Sequence, residues 1–132
     1  MNNVKLPVGI SDFHKLRQNE YYYVDKTMYI EKLENLAETS IMFLRPRKFG
    51  KTLFTSVLEY YYDKKRADKF EKLYGNTYIG KNPTKLKNSY SILRFNFSGI
   101  NTETEETTMK GFKEKVSISI DGFAKKYGID FY

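Results

Sequence analysis

The residue types best able to do chemistry in this chain lie together at residues 45–52, Arg-Pro-Arg-Lys-Phe-Gly-Lys-Thr. Gly50-Lys51-Thr52 matches the second half of the phosphate-loop pattern G-x-x-x-x-G-K-[ST]. The chemistry would be capture of a triphosphate, with successive backbone N–H groups donating to the anion and the helix N-terminus beyond them adding about half a positive charge. Gly50 would let the backbone close on the phosphate. Lys51 would put a point charge on the β- and γ-phosphates, and the Thr52 hydroxyl would be a ligand of Mg²⁺. Arg47, Lys48 and Phe49 complete the expected nucleotide-binding set, the two cations adding charge nearby. Arg45 stands where the pattern has its first glycine, so one position free to take positive φ is lost. The same residues also read as a basic turn capped by Gly50.

Such a loop needs a strand before it and a helix after it. Ile41-Met42-Phe43-Leu44 is a short continuous apolar run of the kind a strand covered on both faces shows. Pro46 and Gly50 forbid its continuation. From Lys51 onward Phe54, Val57, Leu58 and Tyr61 recur at i, i+3, i+4 and i+7, which predicts an amphipathic helix. Upstream, Ser11 or Asp12 caps a brief helix to about Gln18, and Asp25 offers an N-cap for a helix with Tyr29, Leu33, Leu36 and Ala37 on its apolar face. Downstream, Ala67, Phe70, Leu73 and Tyr74 predict a helix stopped by Gly75, and residues 76–88 read as a polar connector. Leu93, Phe95 and Phe97 alternate with Arg94 and Asn96 as a second strand would. Thr102 and Glu105 have capping-box spacing before a long helix carrying Met109, Phe112, Val116, Ile120, Phe123, Ala124 and Tyr127, ended by Gly128. The predicted class is α/β: a P-loop NTPase-like parallel sheet flanked by helices, with a connection between strands long enough for a crossover.

At 132 residues, with 40% hydrophobic and 17% aromatic side chains, the chain suits one domain with a core built largely of rings. Lys and Arg outnumber Asp and Glu by 23 to 16, which favours anionic partners such as nucleotides, nucleic acid or acidic proteins. The absence of Cys excludes a disulfide framework, a thiolate metal site and a Cys nucleophile. One His excludes paired-His zinc motifs. Residues 1–10 lack the apolar run of a signal peptide and no stretch reaches the roughly 18 apolar residues of a membrane span, so a cytoplasmic location without a membrane partner is expected.

The remaining features read as structural. His14 has no second His and no Ser or Asp arrangement beside it, and is expected on an exposed helix face. Lys64-Lys65-Arg66 suits a helix end balancing the macrodipole. The tyrosine triplets at 21–23 and 60–62 read as core or rim packing, and Glu103, Glu105 and Glu106 as first-turn charges rather than metal ligands.

Leu6-Pro7-Val8-Gly9-Ile10-Ser11-Asp12-Phe13, Tyr23-Val24-Asp25-Lys26-Thr27 and the loop at 45–52 together resemble the AAA-ATPase-like family of bacterial proteins. Members often carry a PD-(D/E)XK nuclease-like domain at the C-terminus. In that family too an Arg-Pro start replaces the first glycine of the loop, and residues 92–98 fit the next strand. The resemblance implies ATP and Mg²⁺ as ligands and a partial P-loop domain over residues 1–132, the N-terminal portion of a longer protein. It places the Walker B strand beyond Tyr132, so catalytic residues are unassigned and hydrolysis by this chain alone is not expected. Asp25, which follows an apolar run, is expected to cap or brace structure instead. Two functions follow. One is nucleotide binding at residues 45–52. The other is a basic module contacting nucleic acid through Arg45, Arg47, Lys48 and Lys64 to Arg66 without binding nucleotide.

Overall fold

Asp12 closes the Pro- and Gly-punctuated opening of the chain by accepting the Lys15 amide on its side chain at 2.8 Å, and α1 (Phe13–Gln18) follows. A computed structural model describes residues 4–131. In it come α2 (Met28–Asn35), α3 (Lys51–Tyr62), a 3-10 helix (Lys64–Lys69), α4 (Phe70–Tyr74), α5 (Tyr78–Lys81) and α6 (Glu105–Tyr127). Residues up to Tyr90 form one compact unit and those from Ser91 a second.

The predicted parallel sheet is not there. Among the described residues no β-strand forms, and parallel pairing is confined to two single bridges, Lys5 with Tyr21 and Asp63 with Tyr90. The run at 41–44 makes no backbone hydrogen bond, and its side chains are 39–80% exposed. Leu93, Phe95 and Phe97 are 41–45% exposed. Apolar runs and alternation mark a segment that can face a core, but a strand exists only where a second backbone supplies the ladder. The α/β, P-loop NTPase-like sheet is thereby overturned for the described residues.

The core of the first unit is helical and aromatic. Phe13, Ile30, Val57, Tyr61, Leu73, Tyr74 and Ile79 are all but inaccessible. Tyr74 lies at its centre, with ring centroids 5.0 Å from Phe13, 5.2 Å from Phe70 and 5.7 Å from Tyr61. Its hydroxyl donates to the Val57 carbonyl at 2.7 Å, which satisfies the one polar atom of a buried ring. Ser56, also buried, accepts the Phe13 amide at 2.9 Å and so joins the start of α1 to the middle of α3.

A distant segment finishes α3. Asn88 N donates to Tyr61 O and Tyr90 N to Tyr62 O, each at 2.9 Å, so carbonyls orphaned at the helix end find partners. Tyr62 and Thr84 both donate to Glu34 Oε1 at 2.8 Å, tying α2 to the same corner. Burial, with the Glu34 hydrogen bond, pushes the Tyr62 phenol far above its ordinary value. The expected polar connector contains α5, whose Ile79 is fully buried. Four residues are too few to reveal a helical period, although Thr77 caps α5 by accepting the Gly80 amide.

In the second unit, Gly128 ends α6 in the left-handed region at φ 65, as its place in the sequence predicts. The N-terminal cap falls two residues later than the spacing of Thr102 and Glu105 suggests. Thr104 and Thr107 bond each other's backbone amides at 3.1 and 3.2 Å, the Thr107 hydroxyl doing what a Glu would. Phe97 stacks on Phe95 and on Phe112, with centroids 5.9 and 5.1 Å apart.

Two glycines test this packing with opposite signs. A Cβ at Gly80 would collide with the Tyr74 backbone carbonyl, whereas one at Gly122 in α6 meets open space. Gly80→Ala is expected to destabilise by about 2–3 kcal/mol through overpacking, and Gly122→Ala to stabilise by about 0.5–1 kcal/mol through helix propensity, both read by urea denaturation.

Candidate functional site

Gly50 is the N-cap of α3 and takes φ 79, a conformation that favours glycine. No side chain caps α3 and no acidic residue lies in its first turn, so the positive end of this helix is left open at the loop. The loop reaches the left-handed region a second time at Lys48, φ 67, and a lysine there is strained. Arg45 is not among the positive-φ residues. The loop therefore makes its turn without a glycine at its first position.

Lys51 folds back over this turn. Its Nζ donates to the Pro46 carbonyl at 2.9 Å and to the Arg45 carbonyl. The loop is thus wrapped around the ammonium of its own lysine, beside the open end of α3. Arg47, Lys48, Phe49, Gly50 and Thr52 are exposed and Lys51 is partly buried, so all six expected residues share one accessible turn. The preceding segment is not the strand that the pattern calls for, and the turn is held by the Lys51 hydrogen bonds and by its continuity with α3, whose far face is buried.

Two hollows open on either side of Gly50 and Phe54. One, of about 190 Å³, is lined mainly by apolar side chains, among them Pro7, Leu16, Tyr23, Leu53 and Val57. The other, of about 220 Å³, includes Lys51, Phe49 and Arg45 of the loop with Tyr29, Leu33 and Phe43. Lys26 lines both. Lys26, Tyr29, Leu33, Phe43 and Phe54 are the residues of the second hollow that the loop pattern alone does not find. The signal for Tyr29 and Leu33 was their i, i+4 spacing, but the face they form lines this hollow while Ile30 takes the core.

The residues flanking Lys26 are braces. Asp25 Oδ1 accepts the Thr27 amide and hydroxyl at 2.9 and 2.7 Å, and Oδ2 accepts the Tyr78 amide at 2.7 Å. Thr27 Oγ1 in turn accepts the Ile79 amide at 3.1 Å. The starts of α2 and α5 are clipped together by these two side chains, and Lys26 between them lies over the hollows. Tyr23, two residues before Asp25, has its phenol pKa pushed up to about 12 by burial and then by the Asp25 charge.

For a metal, the fit is narrow. Among the described residues no three His, Cys, Asp or Glu side chains gather to hold one. Thr52 offers an exposed hydroxyl on the first turn of α3, and Mg²⁺ there would draw its other ligands from phosphate and water. His14 is partly buried rather than exposed, its ring stacked on Tyr60 at 5.8 Å, and it lines neither hollow. Lys64 to Arg66 start the 3-10 helix, with Arg66 Nε 3.7 Å from Asp63 Oδ2 and its guanidinium over Tyr60. No helix among the described residues is long and apolar enough to cross a membrane.

A family model described as "Predicted AAA-ATPase" matches residues 7–130. A 60-residue segment is 47% identical to a protein of Azotobacter chroococcum mcd 1 described as "Uncharacterized protein in vnfD 5'region". That match covers 44% of this chain and 11% of the curated relative's length. No solved structure matches the chain.

Two measurements check the assignments around the site. Asp25→Ala removes three hydrogen bonds to an anionic acceptor and is expected to lower stability to denaturant by about 2–3 kcal/mol. Burial, followed by the Lys69 charge, lowers the His14 pKa from 6.5. The unfolded chain then binds more protons just below 6.5, so the stability His14 contributes is present above that pH and is lost as pH falls through the lowered value. An NMR titration of this one imidazole should give a midpoint below 6.5.

Proposed function

The chain belongs to the AAA-ATPase-like family, described as predicted AAA-ATPases, and from that premise we propose that residues 45–52 bind the phosphates of a nucleoside triphosphate, ATP with Mg²⁺. The observation that carries this reading is the Lys51 ammonium held over the turn at the uncapped end of α3. A cation, free helix amides and a glycine at positive φ converge on one exposed spot, the combination that binds a phosphate chain. Bound phosphate would take the ammonium from the Arg45 and Pro46 carbonyls, exchanging neutral acceptors for charged ones. The Thr52 hydroxyl would hold Mg²⁺ beside the terminal phosphates, and Arg47 and Lys48 would add charge at the rim. Phe49 stands at the edge of the adjoining hollow.

The companion reading is contact with nucleic acid. It draws support from the distribution of charge, since 17 of the 23 Lys and Arg but only 10 of the 16 Asp and Glu fall in residues 1–90, which carry the whole excess of +7.

Titration with a fluorescent ATP analogue separates the two. Saturable, Mg²⁺-dependent binding is expected, weakened roughly 10- to 100-fold by Lys51→Ala, the worth of a charge-assisted hydrogen bond to phosphate. Circular dichroism should be unchanged in the variant. If the folded chain binds only DNA or RNA, with affinity falling steeply as salt rises, nucleotide binding is rejected in favour of the basic module.

A further inference from the structure

We propose that the hollow between α2 and the loop holds the base of the bound nucleotide, and that it holds purine bases without telling them apart. This rests on the phosphate-binding reading, because the hollow shares Gly50 and Lys51 with the loop. Its volume of about 220 Å³ is less than the roughly 300–1,000 Å³ of pockets that take a whole small ligand, so it suits one part of a nucleotide with the phosphates lying outside.

Its walls suit a flat aromatic group. Tyr29 and Leu33 stand one helical turn apart on α2, and Phe43, braced edge-on against Phe54 at 5.5 Å, lines it from a different segment. Phe49 lines it from the loop itself. These three rings are left substantially in water, Tyr29 at 49%, Phe43 at 39% and Phe49 at 63% exposure, and a stacked base would cover them. The ionised side chains of the lining, Lys26, Arg45 and Lys51, are all cationic. Lys26 reaches this place because the Asp25 and Thr27 hydrogen bonds fix the backbone on both sides of it. A negatively charged ligand with an electron-rich ring is matched by such a surface.

Apart from the Tyr29 hydroxyl, the lining lacks side chains that would accept a hydrogen bond from a base, and its cations can donate to the N7 that both purines carry. It holds no Asp, Glu, Asn, Gln, Ser or Thr side chain. Discrimination of about 10⁴-fold requires a site built to hydrogen-bond the distinguishing group, whereas stacking tolerates every base because each has a π-face. Adenine and guanine should therefore be held almost equally.

The test is competition by ATP, GTP and inorganic tripolyphosphate, each with Mg²⁺, against a fluorescent ATP analogue on the full chain. ATP and GTP should bind within about threefold of each other and at least about tenfold more tightly than tripolyphosphate, the range expected for one stacked base. Tyr29→Ala should bring ATP close to tripolyphosphate while leaving tripolyphosphate itself unchanged, and Tyr29→Phe should restore the difference. Phe49→Ala, at a more exposed position, gives the same test should Tyr29→Ala perturb folding. Tripolyphosphate binding as tightly as ATP, an ATP affinity indifferent to both ring removals, or a preference of about 100-fold for one purine would overturn the proposal and leave phosphate binding standing. Binding of all three ligands indifferent to Lys51→Ala would instead remove the phosphate reading, and this one with it.

Discussion

Tyr74 donates its hydroxyl to the Val57 carbonyl from inside a cluster of aromatic rings, and through this contact α4 is fastened to the middle of α3. The first unit depends on that attachment. The buried face of α3, formed by Ser56, Val57, Tyr60 and Tyr61, packs within this cluster, and its Ser56 hydroxyl receives the Phe13 amide of α1. A buried phenol without an acceptor is costly, so the ring and the carbonyl also specify one another's position. The second half of α3 is therefore anchored in the core, and its first turn is carried out to the surface with no side-chain cap.

That division of α3 explains how a turn with little packing of its own keeps a defined shape. Leu53 and Phe54 reach partway into the core, while the turn before them is exposed and closed by Lys51 on its own carbonyls. The strain of a lysine at positive φ is borne where helix, lysine and loop meet. The clip made by Asp25 and Thr27 joins α2 to α5 and sets Lys26 and Tyr29 beside the same turn. The residues that brace and the residues that face solvent thus alternate within one short segment.

Much of this organisation is legible in the sequence, for local reasons. A cap at Ser11 or Asp12, Gly50 as the start of α3 and Gly128 after α6 follow from side-chain oxygens and from glycine's tolerance of left-handed backbone, whereas Gly75 closes α4 with right-handed backbone at φ −49. The sheet is not legible there, because apolar runs at 41–44 and 93–97 carry no information about whether a partner backbone lies alongside. The buried face of α2 is not legible from periodicity either, since Tyr29 and Leu33 have the right spacing while Ile30 is the residue met by the core. Helix α5 leaves no mark in the sequence pattern because its one buried residue, Ile79, has no periodic companion.

By itself the sequence determined the loop and its neighbours in order: a basic turn, a glycine, a lysine, a threonine and then an amphipathic helix, all set by the local stereochemistry of Pro46 and Gly50 and the spacing from Phe54 to Tyr61. It also determined the excess of positive charge and the aromatic character of the core. Only the tertiary structure decided which groups Asp25 braces and that Thr27 is a second brace, that Lys51 turns back on Arg45 and Pro46, and that Tyr29, Phe43 and Phe49 surround one hollow. The physical reason is distance along the chain. Caps and turns are satisfied within a few residues, whereas a brace from Asp25 to Tyr78 or a hollow shared by α2 and the loop exists only after remote segments have packed.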